Sequence, residues 1–203
     1  MLFRLLSAAL ILAMSCAVVP AGDKGTRPTA QDENPYRAVK IGDYVNYKTS
    51  TKIGMLNVDG SMKQVVAGKD DKTATVKGTV SVLGQEVPVP ATMVDLTKPF
   101  DPTSVINQGK AKADFKQHEK EKGAGKEKRT IGGKEYECTW IAGRIVTEQM
   151  GIRLDADVKV WFSKAIPLSG MARMEMKAEV QGMALETVAE LSGFGNETKE
   201  KDK

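Results

Sequence analysis

Along most of the chain, apolar residues alternate with polar ones at a period of two, the spacing of a strand with one buried face. Short runs rich in Val, Thr, Ile and Tyr are separated by Asp59-Gly60, Asp70-Asp71, Gly84-Gln85, Gly132-Gly133, Gln149-Met150-Gly151 and Gln181-Gly182. Turn signals spaced about 8 to 15 residues apart predict an antiparallel all-β fold. No stretch carries a helical apolar stripe of three turns. Asp101-Pro102 could open a turn or two, but no apolar face follows it.

The proposed turns predict registers. With Gln181-Gly182 as a two-residue loop, Val180 faces Met183, Ala178 faces Leu185, Met176 faces Thr187, Met174 faces Ala189 and Ala172 faces Leu191. The reverse side pairs Lys177 with Glu186 and Arg173 with Glu190. A one-residue slip would bury those charges, which pins the register. A loop at Gly84-Gln85 places Val76, Gly78, Val80 and Val82 opposite Met93, Ala91, Val89 and Val87. Pro88 and Pro90 then share one parity and leave one side without donors, which marks a sheet edge. A hairpin around Asp59-Gly60 gathers Val45, Tyr47, Thr49, Thr51, Ile53 and Met55 on the face of Met62, Gln64 and Val66.

The hairpin through Gln149 has two solutions. A three-residue loop ending in Gly151 pairs Glu148 with Ile152 and puts Trp140 opposite Val160, on the apolar face. It leaves Trp161 partly exposed among charges, either as a contact point or covered by the leader or by Lys164 to Gly170. A two-residue loop would turn Trp140 and Trp161 away from the Ile/Val core, so the longer loop is preferred.

The ends and one internal segment do not fit the alternation. Met1 to Arg4 followed by the apolar run Leu5 to Val19 reads as a secretory signal, residues 1–21, cleaved before Gly22. Ser15-Cys16 offers a second reading, a lipoprotein anchored through Cys16, but Ala13 and Met14 match a lipobox poorly. Residues 22–35 read as a disordered leader, residues 36–193 as one domain and residues 194–203 as a disordered tail. Within the domain, residues 109–129 form a charged excursion with eight basic and four acidic side chains. Phe115 is the sole aromatic there, so no stacking platform supports nucleic-acid binding.

Candidate chemistry is sparse. The single His, His118, lies in the excursion, so no triad can be assembled. Cys138 sits in a strand pattern and reads as a small buried apolar residue. No zinc set, glycine-rich phosphate loop or Walker motif is present, so no catalytic residue, metal or cofactor is expected. Asp155 and Asp157 share a strand face near Glu135 and Glu137, where calcium is conceivable, but solvated carboxylates are the commoner meaning. Methionine is the unusual feature: ten in all, several on inferred inward faces. Met55, Met62, Val80, Met93, Trp140, Met174, Met176 and Met183 are therefore the candidate lining of a site for varied apolar ligands.

From Tyr36 to Gly193 the chain resembles a family of uncharacterised exported bacterial proteins. The resemblance is carried by Val39 to Tyr47 (VKIGDYVNY), Gly133 to Trp140 (GKEYECTW) and Val158 to Met176 (VKVWFSKAIPLSGMARMEM). More distantly, Trp161-Phe162-Ser163 followed by Pro167-Leu168 is similar to lipoprotein carriers of the LolA/LolB type. Those are half-barrels that hold acyl chains and close their mouths with helices, which this sequence lacks. Together these readings predict a curved antiparallel meander sheet, a half-barrel or open barrel of roughly eight to ten strands. The expected location is periplasmic or secreted, with no transmembrane span in the mature chain. The expected role is non-catalytic, with a lipid or acylated protein as partner in an apolar concave face. The other reading is an interaction or structural module with contacts through Trp161 and the proline-bearing edge.

Overall fold

The computed structural model describes residues 34–100, 124–149, 152–180 and 182–200. The signal and anchor readings of residues 1–21, the leader up to residue 33, His118 and residues 109–123 of the excursion lie outside the described residues. Nine strands form one antiparallel sheet: β1 Asp43–Ile53, β2 Leu56–Lys69, β3 Thr73–Val82, β4 Gln85–Asp95, β5 Ala124–Ile131, β6 Lys134–Gln149, β7 Ile152–Phe162, β8 Met171–Val180 and β9 Met183–Asn196. Their order is β4-β3-β2-β1-β9-β8-β7-β6-β5. Two meanders, β1 to β4 and β5 to β9, are thus joined at the centre by β1 and β9. The sheet stays open, with β4 and β5 as its edges, and the edge inferred from Pro88 and Pro90 is one of them.

The inner face follows the alternation. Val45, Tyr47, Thr49 and Thr51 of β1 face Gln64, Met62, Gly60 and Val58 of β2 on one side and Phe194, Leu191, Ala189 and Thr187 of β9 on the other. The turn between β1 and β2 is Gly54-Met55, not Asp59-Gly60, because Ile53 pairs with Leu56. Gly54 takes the left-handed φ of 58° that such a turn needs. Gly60 sits inside β2 for another reason: a Cβ there would lie 2.6 Å from the Ser81 carbonyl oxygen. Both positions define two-residue loops of the same parity, so the inward set of Met62, Gln64 and Val66 is unchanged. Met55 alone moves, from the core to the turn tip.

Bulges redirect other residues. In β4, Val76 pairs with Thr92 but Gly78 pairs with Val89, so one extra residue is accommodated near Pro90 and Ala91. The parity flips there, and Met93 turns outward to 67% exposure. Between β7 and β8, Trp161 pairs with Arg173 and Phe162 with Met171, leaving Ala172 as the extra residue. β8 and β9 have the predicted register throughout, from Val180 opposite Met183 to Arg173 opposite Glu190.

The domain is wider than residues 36–193. Asn34 is buried, and its side-chain amide donates to the carbonyls of Asp95 and Lys98, both at 3.1 Å. It also caps a 3-10 turn at Pro35–Arg37, accepting from the Tyr36 amide. Tyr36 packs on Phe100, ring centroids 5.8 Å apart. At the other terminus β9 runs to Asn196, and a turn of helix follows at Glu197–Glu200, so residues 194–200 are ordered rather than a tail. Residues 124–129, assigned to the excursion, are part of β5. Among the described residues no helix is long and apolar enough to cross a membrane.

Candidate functional site

The proposed apolar lining splits into three groups. Met62, Val80, Met174 and Met176 point inward and are 4–6% exposed, inside one contiguous core with Tyr47, Val160 and Leu191. Met55 stands at the β1/β2 turn tip, Met183 is the first residue of β9 beside the β8/β9 turn, and Met93 is on the outer side of the β4 edge; all three are exposed. Trp140 is half-buried and packs against the core on the sheet face that carries Trp161. The eight residues therefore do not form one surface. The inward group is held by the protein's own packing and by buried hydroxyls: Tyr47 donates to the Met171 carbonyl at 3.2 Å, and the Thr51 and Thr187 hydroxyls pair across strands at 3.2 Å.

Trp161 is the larger departure. The β6/β7 pairing places Gln149 opposite Ile152, a two-residue connection, and this sets Trp140 opposite Trp161. Both indoles lie on the outer face, yet Trp161 is only 1% exposed. It is not the exposed contact point expected from its charged neighbours, because those neighbours cover it. The Arg129 guanidinium lies 4.1 Å from its ring centroid, and the Lys159 ammonium 5.1 Å from it and 4.2 Å from that of Trp140. Cations at these distances are attracted to the ring faces, and their alkyl stems shield the indole.

Strand β5 supplies the rest of the arrangement. Glu127 Oε1 accepts from the Trp161 indole N–H at 2.5 Å and from Arg129 Nε at 2.8 Å. The Arg129 hydrogen bond is the chief reason that the Glu127 carboxyl titrates below its ordinary range, with burial opposing and the indole N–H assisting. Gly125 leaves room for Trp140: a Cβ there would lie 2.6 Å from the indole nitrogen. Across from Trp161, Arg173 binds Glu175 at 2.8 Å and pairs with Glu190. Cys138, on the same face, is 3% exposed, and burial pushes its thiol up, away from nucleophilic ionisation. The sequence signals for this cluster were the Lys/Glu alternation of residues 126–129 and the paired tryptophans.

Two further places gather charge or space. Asp155, a calcium candidate with Asp157, is held in a two-point ion pair by Arg144, whose Nη2 lies 2.8 Å from Oδ2. Among the described residues no cluster of three metal-binding side chains occurs. A shallow depression of about 340 Å³ lies on the outer face of β2 to β4, lined by Ser61, Lys63, Lys77, Thr79, Ser81 and Glu86 among others. Its lining is polar, and Lys63 is committed to Glu197 at 2.6 Å and to the Tyr44 ring at 5.0 Å.

No family model matches the chain, and no curated protein is significantly similar to it. Among solved structures, it is similar to a protein from Bacteroides fragilis NCTC 9343 named for its inferred export and its YmcC-like fold. The identity is 10%, the match covers 77% of this chain and 97% of that one, and the TM-score is 0.48. A likeness that remote carries no function from one protein to the other.

Proposed function

We propose that this chain is a non-catalytic exported β module that works through its outer surface, not by carrying a ligand inside the sheet. One observation carries the reading: Met62, Val80, Met174 and Met176, the inward residues of the proposed apolar site, are 4–6% exposed within a continuous core. Side chains so placed already have protein partners, and a lipid would have to displace them. Export rests on the signal-like sequence of residues 1–21. The absence of catalysis is supported by the position of the lone His in the charged excursion and by the raised, buried thiol of Cys138.

The competing carrier reading, a lipid-like molecule or acylated partner in the concave face, requires a space of at least about 300 Å³ beside those methionines. Native mass spectrometry of the protein from an exported preparation, repeated after organic extraction, separates the two. The expected result is the mass of the protein alone, with no uptake of added fatty acid or phospholipid. A stoichiometric lipid that survives native transfer and disappears on extraction would overturn the proposal.

A further inference from the structure

The hairpin of β5 and β6 reaches beyond the strand that anchors it. β6 pairs with β7 only from Thr139 onward, and Thr139 stands opposite Phe162, the last residue of β7. Before that point Lys134 to Cys138 pair with Ile131 to Glu127 of β5, the edge strand. Among the described residues this part of the hairpin is therefore laddered to itself alone. Gly132 and Gly133 close it with φ of 57° and 80°, the two left-handed residues that a tight hairpin turn needs.

Its side chains nevertheless divide into a wet and a dry face. Lys126, Lys128, Thr130, Glu135 and Glu137 are exposed, and Lys128 bonds Glu135 across the hairpin at 2.8 Å. Ile131, Tyr136 and Cys138 are buried, on the face that carries Glu127, Arg129 and, one strand further, Trp161. β5 also comes close to β9, although β6, β7 and β8 lie between them in the sheet order. The hairpin is thus folded back over the Trp161 side of the second meander and held there by side chains. Those that latch it keep their heads in water: Glu127 accepts the Trp161 indole N–H and Arg129 lies on the ring, yet their side chains are 36% and 31% exposed. Releasing them breaks no main-chain bond to β7 and leaves no buried charge behind.

From this we infer that the hairpin is a flap, hinged where β6 leaves β7 at Thr139 and latched to Trp161 by Glu127 and Arg129, that opens while the rest of the sheet stays folded. Closed, this part of the surface presents charged heads. Open, it presents Trp161, Tyr136, Ile131 and Cys138, an apolar strip that the closed form hides. Such motion is independent of whether a ligand occupies the sheet, and so goes beyond the surface-contact reading above.

Cys138 reports the opening, because its thiol is buried on the dry face of the flap. The full chain is treated with N-ethylmaleimide at constant pH over a range of urea below the unfolding transition, and labelling of the Cys138 peptide is followed by mass spectrometry. The expected rate is far below that of the unfolded chain. Its dependence on urea should be less than about half of the m-value for global unfolding, since a hairpin exposes little surface. Glu127→Ala and Arg129→Ala should each raise the rate at least about fivefold, the loss expected for a charged hydrogen bond or cation–π contact at a part-exposed site. Lys77→Ala, an exposed change on β3, should leave it unchanged. Labelling with the full global m-value would overturn the inference, because Cys138 would then be reached only by unfolding of the whole domain. So would a rate that neither latch variant changes, or one as fast as in the unfolded chain. If a latch variant loses the circular dichroism of the fold, the urea dependence of the unaltered chain decides by itself.

Discussion

The two meanders bury their strands differently. In β1, Val45, Tyr47, Thr49 and Thr51 are buried while Lys48, Ser50 and Lys52 are exposed, so one face is core and the other is water. In β7 the adjacent residues Val160, Trp161 and Phe162 are all at or below 4% exposure, and both faces are covered. The inner face is closed by Ile141, Val160 and Met174. The outer face is closed by charged side chains, with Arg129 and Lys159 laid over the indoles and tied by Glu127. A charged neighbour therefore does not imply a solvated face: its stem can be the cover and its head the only part in water.

The sharpest way to break this comparison is at Trp161. Trp161→Ala should destabilise the domain by about 3–5 kcal/mol, the range for deleting a buried aromatic, measured by urea denaturation. The outer-face change Lys48→Ala in the first meander should stay within about 0.5 kcal/mol. Similar costs for the two would mean that the outer faces do not differ. Next in size, Gly125→Ala puts a methyl against the Trp140 indole and should cost about 1–3 kcal/mol, with a change in near-ultraviolet circular dichroism. A silent substitution would mean that Trp140 swings free of β5.

A change of opposite sign is expected in the first meander. The Thr49 hydroxyl is buried with no hydrogen-bond partner, so Thr49→Val should stabilise the domain by about 1 kcal/mol in the same denaturation assay. Destabilisation there would show that the hydroxyl is bonded in solution. The smallest effect is electrostatic. The Asp95 carboxyl is held down to about 2 from 3.8, first by the Thr97 hydroxyl, then by the Thr97 amide and by Lys98. Because the folded value is the lower one, its contribution is present above pH 3.8 and is lost as the pH falls through about 2. An NMR titration of Asp95 and of the Thr97 amide should show a midpoint near that value, and an ordinary midpoint would remove the turn from the account.

Much of the sheet was legible because alternation and loop parity are local. The β8/β9 register needed only Gln181-Gly182 and the cost of burying Arg173 and Lys177. The inward set of β1 and β2 survived a misplaced turn because the loops at residues 54–55 and 59–60 have the same parity. Met93 was misread because a bulge beside Pro90 adds one residue and reverses every side chain beyond it. The cover of Trp161 was not legible because the shorter β6/β7 connection puts both indoles on a face that is also dry, beneath side chains from β5 and β7.

The sequence by itself determined the strand class, several hairpins, the proline-blocked edge and the residues that must turn inward, since each follows from a period of two and from the chemistry of adjacent residues. Tertiary structure alone decided that β1 and β9 join the two meanders, that the methionines divide between a filled core and exposed positions at turns and at the β4 edge, and that Trp161 is buried beneath Arg129 and Lys159. These outcomes depend on groups brought together from distant parts of the chain, such as Glu127 and Trp161, whose contact no local pattern encodes.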